Sequence, residues 1–384
     1  MEHLLFYLAI ATLVFFVAFG IDLVVGNRSI RFLKDVPSTG KAPGPKVSII
    51  IPARNEERNI QKALRSVLSQ DYENAEIIVI DDRSTDQTAA ILNRMAQADP
   101  RLRVVHVREL PPGWLGKNHG LYVGAHQATG DVLLFTDADI VMHPSTVRKA
   151  VGYLAMNQLD HLTITPEVRM PGILLDVFVG AFTIFFSLYA RPWKAKDPKS
   201  RRFIGIGGFN LVRKSVYRAV GMHQAIAMRP DDDMKLGKLI KLGGYRQELL
   251  FGRDMLQVEW YPSLREMIDG LMKNAFAGVN YSILAIVSSS IVQFLLNVWP
   301  FFGLFLTHGI TRILNAVVVL LIMFICWDNA RFHNSRRWYG IGFPISTLLF
   351  VYIMWRSMLL TFMHNGIRWR GTHYPLAELR ANRV

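Results

Sequence analysis

The chain contains, at residues 47–56, the stretch Val47-Ser-Ile-Ile-Ile-Pro-Ala-Arg-Asn-Glu56, an apolar run that ends in polar residues. Three similar runs follow at helix-length intervals, at Glu76–Ile80, Arg103–Val107 and Val132–Thr136. Alternation of short apolar runs with helix-length segments is typical of βαβ units. The sequence therefore predicts an α/β domain with a mostly parallel sheet. Helices are predicted over Glu56–Gln70 and Thr85–Ala98.

Acidic side chains follow two of these runs. Parallel strands bring their carboxyl ends to one edge of the sheet, and ligands of open α/β folds bind outside that edge. The residues predicted there include Asp81, Asp82, Asp137 and Asp139. Like charges that close destabilise one another unless a cation lies among them. We therefore expect a divalent metal, Mg2+ or Mn2+, together with a bound diphosphate.

The composition indicates a membrane protein, because 51% of the residues are hydrophobic. Leu4–Ile21 carries no charge and is nearly long enough to span a bilayer core. The basic residues Arg28, Arg31 and Lys34 follow this run, whereas a cleaved signal peptide, the alternative, has basic residues before it. The positive-inside rule then places residue 28 onward in the cytoplasm. We expect a multi-pass protein of the plasma membrane with its main domain cytoplasmic.

Further apolar stretches lie after residue 279, at Val279–Leu306, Ile313–Trp327 and Gly342–Met363, and predict two to four membrane helices. Arginines flank both ends of the last stretch, so one simple crossing conflicts with the positive-inside rule. Pro344 and Arg356 within it favour a re-entrant or interfacial hairpin. The C-terminus is expected in the cytoplasm, and the number of spans stays open.

Basic residues outnumber acidic ones, 44 to 30, but they flank apolar segments, a pattern that anionic lipid surfaces attract. We therefore expect a lipid bilayer and no nucleic acid among the partners. The densest basic segment, 191–218, follows the apolar run Ile173–Ala190. That run predicts a helix in the plane of the membrane, with a buried core helix as the alternative.

These observations predict five regions. The boundaries are a transmembrane anchor at 1–27, a linker at 28–46, an α/β domain at 47–278, a membrane region at 279–364 and a basic tail at 365–384. The linker is assigned because it contains Pro37, Gly40, Pro43, Gly44 and Pro45.

No GxGxxG follows the first strand and no GxxxxGK[ST] occurs in the sequence, which argues against dinucleotide oxidoreductases and P-loop enzymes. Four other motifs occur together. The motifs are Val47–Glu56, Ile80-Asp-Asp-Arg-Ser-Thr-Asp86, Thr136-Asp-Ala-Asp139 and Asp231-Asp-Asp233 before Leu236. In this order the chain, over about residues 47–275, resembles the family 2 glycosyltransferases. The resemblance implies the GT-A fold, with a Rossmann-like sheet.

Within that family the chain is similar to membrane-anchored members that glycosylate lipids: the ceramide glucosyltransferase-like, hopanoid-associated and carotenoid-acid glycosyltransferases. The segments that carry this similarity are Trp114-Leu-Gly-Lys-Asn-His-Gly120, Gly207-Gly-Phe-Asn-Leu-Val-Arg213 and Arg368-Trp-Arg-Gly-Thr-His-Tyr374. The resemblance implies a membrane lipid as acceptor and a nucleoside diphosphate sugar, a uridine diphosphate sugar, as donor.

The resemblance also implies residue roles on the donor side. Asp82 would recognise uracil or ribose, because a carboxylate accepts hydrogen bonds from both; a charge at a helix start is the structural alternative. Lys117 would face the nucleotide or diphosphate, with a solvated lysine as the alternative. Asp139 would be the direct metal ligand and Asp137 the partner of ribose or metal. If the strand continues that far, alternation puts both on one side. The nucleotide-contacting loop would comprise Pro52, Ala53, Arg54, Asn55 and Glu56.

The acidic motif would supply a catalytic base, which is needed because an acceptor hydroxyl must lose its proton as it attacks the anomeric carbon. Register with Leu236 favours Asp233, with Asp232 next; a solvated acidic loop is the structural alternative. The resulting reaction is an inverting, metal-dependent glycosyl transfer. Residues expected on the acceptor side are Gly207, Gly208, Phe209 and Asn210.

One departure from the family bears on the reaction. Many relatives carry Gln/Arg-X-X-Arg-Trp after the base, whereas this region, Ser263–Asn274, lacks the Arg-Trp pair. The departure argues against the interpretation as a processive polysaccharide synthase. It leaves open whether Arg368 and Trp369 are interface anchors or site residues. Two other readings stay open: a polyprenyl phosphate acceptor, which needs no base, and a catalytically silent membrane scaffold.

Overall fold

The computed structural model describes residues 2–38 and 44–384. The chain divides into two compact units, each made of separate segments. An α/β unit comprises Ile30–Val168, Pro192–Glu259 and Arg368–Val384, and a helical unit comprises Met1–Ser29, Arg169–Arg191 and Trp260–Ile367. Gly40 and Pro43 of the predicted linker lie outside the described residues. The five regions predicted from the sequence stay a prediction.

The main sheet of the α/β unit has seven strands in the order β3-β2-β1-β4-β8-β6-β9. β1 is parallel to β2 and β4, and β2 is parallel to β3. β8 is antiparallel to both of its neighbours, and β6 is parallel to β9. The predicted α/β fold with a mostly parallel sheet is therefore confirmed. These strands are β1 (Val47–Ala53), β2 (Ala75–Asp82), β3 (Leu102–Val107), β4 (Val132–Phe135), β6 (His161–Thr165), β8 (Asn210–Arg213) and β9 (Gln247–Phe251).

Two smaller sheets complete the strands described. One has the order β5-β10-β7, and the other pairs β11 with β12. The strands are β5 (Val141–Met142), β7 (Glu167–Arg169), β10 (Leu256–Glu259), β11 (Gly366–Trp369) and β12 (Thr372–Pro375). The helices of the α/β unit are α2 (Ile60–Leu68), α3 (Thr88–Ala98), α4 (Gly116–Gln127), α5 (Thr146–Met156), α7 (Lys214–Ala219), α8 (Asp232–Leu242) and α14 (Leu376–Ala381).

The central strands are apolar at nearly every position because both faces of the sheet are covered. Ile49 and Ile51 of β1 belong to a buried cluster with Leu64 of α2. Ile50, between them, points to the other face and joins a cluster with Leu121 of α4. This alternation fixes the register of β1, since a slip of one residue would exchange the two clusters.

Helices α2 and α3 begin later than the sequence predicts, because the residues before them form two loops that are hydrogen-bonded to each other. Asp86 accepts hydrogen bonds from the backbone N–H of Glu57 at 3.1 Å and of Thr88 at 3.0 Å. Glu57 in turn accepts from the N–H of Gln87 at 2.9 Å. These bonds compete with helix formation, as Asp side chains commonly do near helix starts.

Within the described residues, the helical unit contains four helices that are long and apolar enough to cross a membrane. A further, bent pair of helices, Leu264–Gly278 and Ile283–Asn297, would raise the number of spans to five if the pair acts as one span. The pair bends by 112°. The helices of this unit are α1 (Glu2–Ser29), α6 (Ile173–Ala190), α9 (Leu264–Gly278), α10 (Ile283–Asn297), α11 (Trp299–Leu306), α12 (Gly309–His333) and α13 (Phe343–Met363). The in-plane placement predicted for α6 stays a prediction.

The hairpin expected in Gly342–Met363 is wrong, because α13 is one helix of 21 residues. Pro344 lies in its first turn, where a proline breaks no helical hydrogen bond. Arg356 is accommodated by an ion pair, with its Nη1 at 2.7 Å from Asp269 of α9.

Candidate active site at the carboxyl edge of the sheet

The loop after β1 is held rigidly against the loop after β2. Asn55 has a positive φ of 53°, which asparagine tolerates better than most residues. Its backbone N–H donates to Ser84 Oγ at 3.1 Å, and its Oδ1 accepts from the N–H of Thr85 at 2.8 Å. The N–H of Glu56 donates to Thr88 Oγ1 at 2.8 Å. Pro52 and Ala53, by contrast, are the last residues of β1 itself.

Asp82 lies at the end of β2, where two arginines surround it. Arg83 makes a two-point contact, with Nε at 2.7 Å and Nη2 at 3.0 Å from the carboxylate oxygens. Arg54 Nη1 lies 3.7 Å from the same carboxylate. Within the described residues, Nε of Arg54 is buried and has no hydrogen-bond partner. A buried N–H without a partner is costly, so this corner of the site favours a ligand that brings an acceptor oxygen.

The expected crowding of four aspartates is wrong for Asp81 and Asp82. Asp81 contacts Nδ1 of His106 at 2.8 Å, and Asp82 is paired with arginines. The carboxylate that acts electrostatically on Asp137 and Asp139 is instead that of Glu56. The sequence predicted the wrong partners because Arg83 and Arg54 compensate the charge of Asp82, and Asp81 contacts His106 of β3.

Asp137 and Asp139 follow β4, which ends at Phe135, so strand alternation does not extend to them. Burial raises the pKa of Asp139, and the nearby charges of Asp137 and Glu56 raise it further. The negative charge of this group is therefore disfavoured in the free protein. A cation bound here would relieve the repulsion.

Lys117 lies in the first turn of α4 and joins two acidic segments. Its Nζ lies 2.9 Å from Asp137 Oδ1 and 3.5 Å from Asp232 Oδ1. Burial alone would lower the pKa of Lys117, but the carboxylates of Asp137, Asp232 and Asp233 outweigh it and hold the pKa above its usual value. The ammonium group stays charged at this site.

The three adjacent aspartates of residues 231–233 have different environments. Asp231 receives two hydrogen bonds from Arg229, at 2.9 and 3.0 Å, and lies 3.6 Å from Lys235 Nζ. Asp233 accepts the N–H of Gly207 through Oδ2 and that of Met234 through Oδ1, both at 2.7 Å. Burial raises the pKa of Asp233, while Lys117 acts against that rise. The charge of Asp231 is compensated by Arg229 and Lys235, whereas Asp233 is a fixed carboxylate with raised proton affinity.

Gly207 brings the basic and acidic groups together because it has no side chain. A Cβ at this position would lie 2.9 Å from Asp137 Oδ2, 3.2 Å from Lys117 Nζ and 3.5 Å from Asp233 Oδ2. Gly205 is equally constrained, because a Cβ there would collide with the backbone carbonyl of Asp233. The segment before β8 thus lies directly against the start of α8.

The other predicted acceptor-side residues are held by contacts within the α/β unit, and their role toward the acceptor stays a prediction. Phe209 is fully buried in the core of the sheet. Asn210 is buried and its Oδ1 contacts Nε2 of His161 at 2.9 Å. The carbonyl of Gly208 accepts a hydrogen bond from Thr136 Oγ1 at 2.8 Å. A small cavity nevertheless adjoins this segment, lined by Lys117, Leu121, Phe135, Thr136, Asp137, Gly207, Asn210, His223, Asp232 and Leu236.

Two groups of residues at the site were not predicted from the sequence. His223 is buried beside Asp232, with its Nε2 3.9 Å from that carboxylate, and burial lowers the pKa of His223 to about 3. Its Nδ1 contacts the hydroxyl of Tyr217 at 2.7 Å, so the ring is neutral and fixed. The second group belongs to the tail: Arg370 contacts Glu56, and the Tyr374 hydroxyl accepts from the N–H of Gly116 at 3.2 Å. The motif Arg368–Tyr374 was its sequence signal.

No group of three or more His, Cys, Asp or Glu side chains suited to hold a metal occurs within residues 2–38 and 44–384. The carboxylates of Asp137 and Asp139 nevertheless fit a partial site. Mg2+ is commonly bound by one or two carboxylates, with substrate phosphates and water completing the shell. The raised pKa of Asp139 is consistent with such a site.

Residues 48–221 match the model of the family described as Glycosyl transferase family 2. The chain carries a family 2 glycosyltransferase domain. The predicted family is thereby confirmed, and so is the prediction that the chain is a glycosyltransferase. The matched segment contains the loop after β1, the Asp81–Asp86 motif, Asp137 and Asp139.

Similar proteins include a 4,4'-diaponeurosporenoate glycosyltransferase of Staphylococcus haemolyticus, 26% identical over 68% of this chain and 70% of that protein. A beta-monoglucosyldiacylglycerol synthase of Synechocystis is 34% identical over a segment that makes up 37% of this chain and 31% of that protein. Among solved structures, a mannosyltransferase of Pyrobaculum calidifontis in complex with GDP-Man and Mn2+ superposes with a TM-score of 0.54. The two sequences are 18% identical, and the superposition covers 94% of this chain and 99% of the mannosyltransferase chain. That similarity confirms the GT-A fold.

Proposed function

We propose that this glycosyltransferase moves a sugar from a uridine diphosphate sugar to a membrane lipid, with inversion at the anomeric carbon and with a divalent metal. The observation that carries the proposal is the fixed, buried carboxylate of Asp233, held by two backbone N–H groups next to Lys117 and Asp137. A base with raised proton affinity, placed beside a cation, suits proton removal coupled to departure of a diphosphate.

The donor would lie along the carboxyl edge of β1, β2 and β4. Asp82 would accept the N3–H of uracil or a ribose hydroxyl, because a carboxylate has more acceptor positions than its two arginines use. The buried Nε of Arg54 would donate to an oxygen of the nucleotide. Lys117 would face the diphosphate, with its charge ensured by the surrounding carboxylates.

Asp139 would hold the metal, with Asp137 beside it; Mg2+ or Mn2+ suits oxygen ligands of this kind. When bound, the metal would offset charge that builds on the departing diphosphate. In the protein alone, Lys117 already pairs with Asp137 at 2.9 Å.

In the transfer itself, the acceptor hydroxyl attacks the anomeric carbon from the face opposite the diphosphate. The new carbon–oxygen bond forms as the bond to the β-phosphate oxygen breaks, and the nucleoside diphosphate leaves as an anion. Asp233 takes the hydroxyl proton. Asp232 is the second candidate base, but Lys117 and His223 both lie against its carboxylate.

A lipid acceptor is supported by two features. The two relatives described above are named for a carotenoid acid and for diacylglycerol, which are lipids. Residues 2–38 and 44–384 also contain four helices that are long and apolar enough to cross a membrane. The acceptor would reach the site on the side of Gly207, where a Cβ, had the residue one, would lie 3.5 Å from Asp233 Oδ2. We place the protein in the plasma membrane with the α/β unit in the cytoplasm.

The test is a transfer assay with the full-length protein in lipid vesicles, radiolabelled nucleotide sugars and extracted lipids. The full chain is needed because a fragment that ends at Gly278 would lack Arg368–Val384 of the α/β unit. We expect label from one uridine diphosphate sugar in a single-sugar lipid product with inverted anomeric configuration. Retention of configuration, or label only in a water-soluble sugar, would contradict the proposal; a long polymer would indicate a processive synthase.

A further inference from the structure

The tail, defined here as Arg368–Val384, is part of the α/β unit although more than a hundred residues separate it from Glu259 in sequence. It is not a solvated basic extension. Leu376 and Leu379 of α14 are buried, and so is Tyr374. A tail that only bound anionic lipid would have no reason to bury these side chains in the α/β unit.

The first part of the tail contacts the predicted nucleotide-binding loops. One Nη of Arg370 donates to the backbone carbonyl of Arg54 and the other to the carboxylate of Glu56. Both acceptors lie in the loop after β1. A planar guanidinium can reach two acceptors at once, which a lysine ammonium does not reproduce.

Tyr374 connects the next two loops of the same edge. Its hydroxyl accepts from the N–H of Gly116, the first residue of α4, at 3.2 Å, and it also interacts with Arg83. Arg83 is the residue that holds Asp82. Through Tyr374 the tail therefore touches the loop after β2 and the segment that presents Lys117.

The last part of the tail reaches the loop that precedes the candidate base. Asn382 accepts from the N–H of Met228 and donates to the carbonyl of Ala225, both at 3.1 Å. Lys238 of α8 donates to the carbonyl of Val384 at 2.7 Å. One segment thus joins the loops after β1 and β2 and the start of α4 to the segment that carries Asp231–Asp233.

We propose that the tail is a wall of the donor site and that Arg370 and Tyr374 are positioning residues for the nucleotide sugar. This inference rests on the proposed function. Arg370 compensates the charge of Glu56, on which the carboxylate of Asp137 acts and which in turn acts on Asp139. Without the guanidinium, Glu56 would be repelled by that pair, and the loop that includes Arg54 would lose its hold on the donor.

The experiment compares full-length Arg370→Ala, Arg370→Lys and Tyr374→Phe with the control Arg383→Ala. Arg383 is an exposed arginine of the same tail, with no side-chain hydrogen bond or ion pair within the part of the chain that the structure describes. Loss of a hydrogen bond to a charged group corresponds to roughly a ten- to hundredfold change in an equilibrium. We expect the KM for the donor to rise by about that factor in Arg370→Ala, while KM for the lipid acceptor changes little.

Binding is measured separately through the rise in melting temperature that uridine diphosphate produces. We expect this rise to shrink in Arg370→Ala, to recover only in part in Arg370→Lys, and to stay at the wild-type value in Arg383→Ala. A purely structural role would lower melting temperature without changing the donor KM of the folded protein. Tyr374→Phe removes only the hydroxyl oxygen. If Arg370→Ala does not fold, the donor KM of Tyr374→Phe and its response to uridine diphosphate test the inference.

The two levels of inference fail in different ways. If the wild type transfers sugar but Arg370→Ala and Tyr374→Phe keep its donor KM and its response to uridine diphosphate, the tail is not a wall of the donor site. If the wild type transfers no sugar from any nucleotide donor, the proposed function is wrong and the tail inference falls with it.

Discussion

Asp233→Asn separates catalysis from folding more sharply than other substitutions in this chain. The asparagine can keep one of the two backbone hydrogen bonds, from Gly207 or Met234, and turns an amide NH2 toward the other N–H. An unsatisfied buried donor costs about 1–3 kcal/mol. The raised pKa of Asp233 shows that its charge is itself disfavoured by burial, and a neutral side chain avoids that cost. The net change in the free energy of unfolding should therefore be small.

The effect on turnover should be large. A positioned general base contributes about 10²- to 10⁴-fold to a rate, and the amide cannot accept the proton. Asp231→Asn provides the matched control with the opposite signature. It leaves the buried Arg229 and Lys235 without their carboxylate, so it should lower the melting temperature by on the order of 10 °C. The fraction that remains folded should still transfer sugar.

The assay is the initial rate of transfer per folded molecule, with folding followed by melting in the same vesicles. The wild-type rate should fall as the pH falls, since Asp233 acts only when deprotonated. Because its pKa is raised by burial, this loss should begin at higher pH than for an ordinary aspartate. An Asp233→Asn protein that transfers at the wild-type rate would refute the role of base and favour an acceptor that is already an anion, such as a polyprenyl phosphate.

Three further expectations concern the donor side. Transfer should stop in excess EDTA, and Asp139→Ala should abolish it without unfolding the protein; full turnover in EDTA would contradict the metal. Uridine diphosphate should raise the melting temperature when metal is present, and Asp82→Ala should lose this shift, whereas a larger shift with a guanosine nucleotide would change the donor assignment. Gly207→Ala should lower the rate roughly a hundredfold, because its Cβ would displace Asp137 at 2.9 Å, while Gly278→Ala, with no atom within 4 Å of its Cβ, should not.

The sequence was sufficient to predict the strands β1 to β4, because apolar runs buried on two faces have few alternatives. Their polar ends also indicated the edge of the sheet at which the candidate site lies. The helix starts were predicted too early, since the hydrogen bonds between the loops of Asn55 and Asp86 connect segments that are distant in sequence. Such long-range bonds leave no local pattern.

The electrostatics of the site was the least predictable part. Asp81 and Asp82 were expected to share a cation with Asp137 and Asp139, yet Asp81 contacts His106 and Asp82 forms an ion pair with Arg83. Glu56, which no metal-site pattern includes, acts on Asp139 instead. Phe209 and Asn210 were assigned to the acceptor by resemblance; Phe209 lies in the hydrophobic core, whereas Asn210 is buried and lines the small cavity. Side-chain partners are set by tertiary packing, which spacing along the chain does not encode.

The position of the tail in the chain has a consequence for biosynthesis. The ribosome produces Ile30–Val168 and Pro192–Glu259 long before Arg368–Val384, and the apolar helices of Trp260–Ile367 emerge in between. Domains generally fold as their segments emerge. The contacts of Arg370, Tyr374 and Asn382 can form only after those helices have left the ribosome, so the α/β unit of the nascent enzyme would remain incomplete until synthesis of the helical unit has ended.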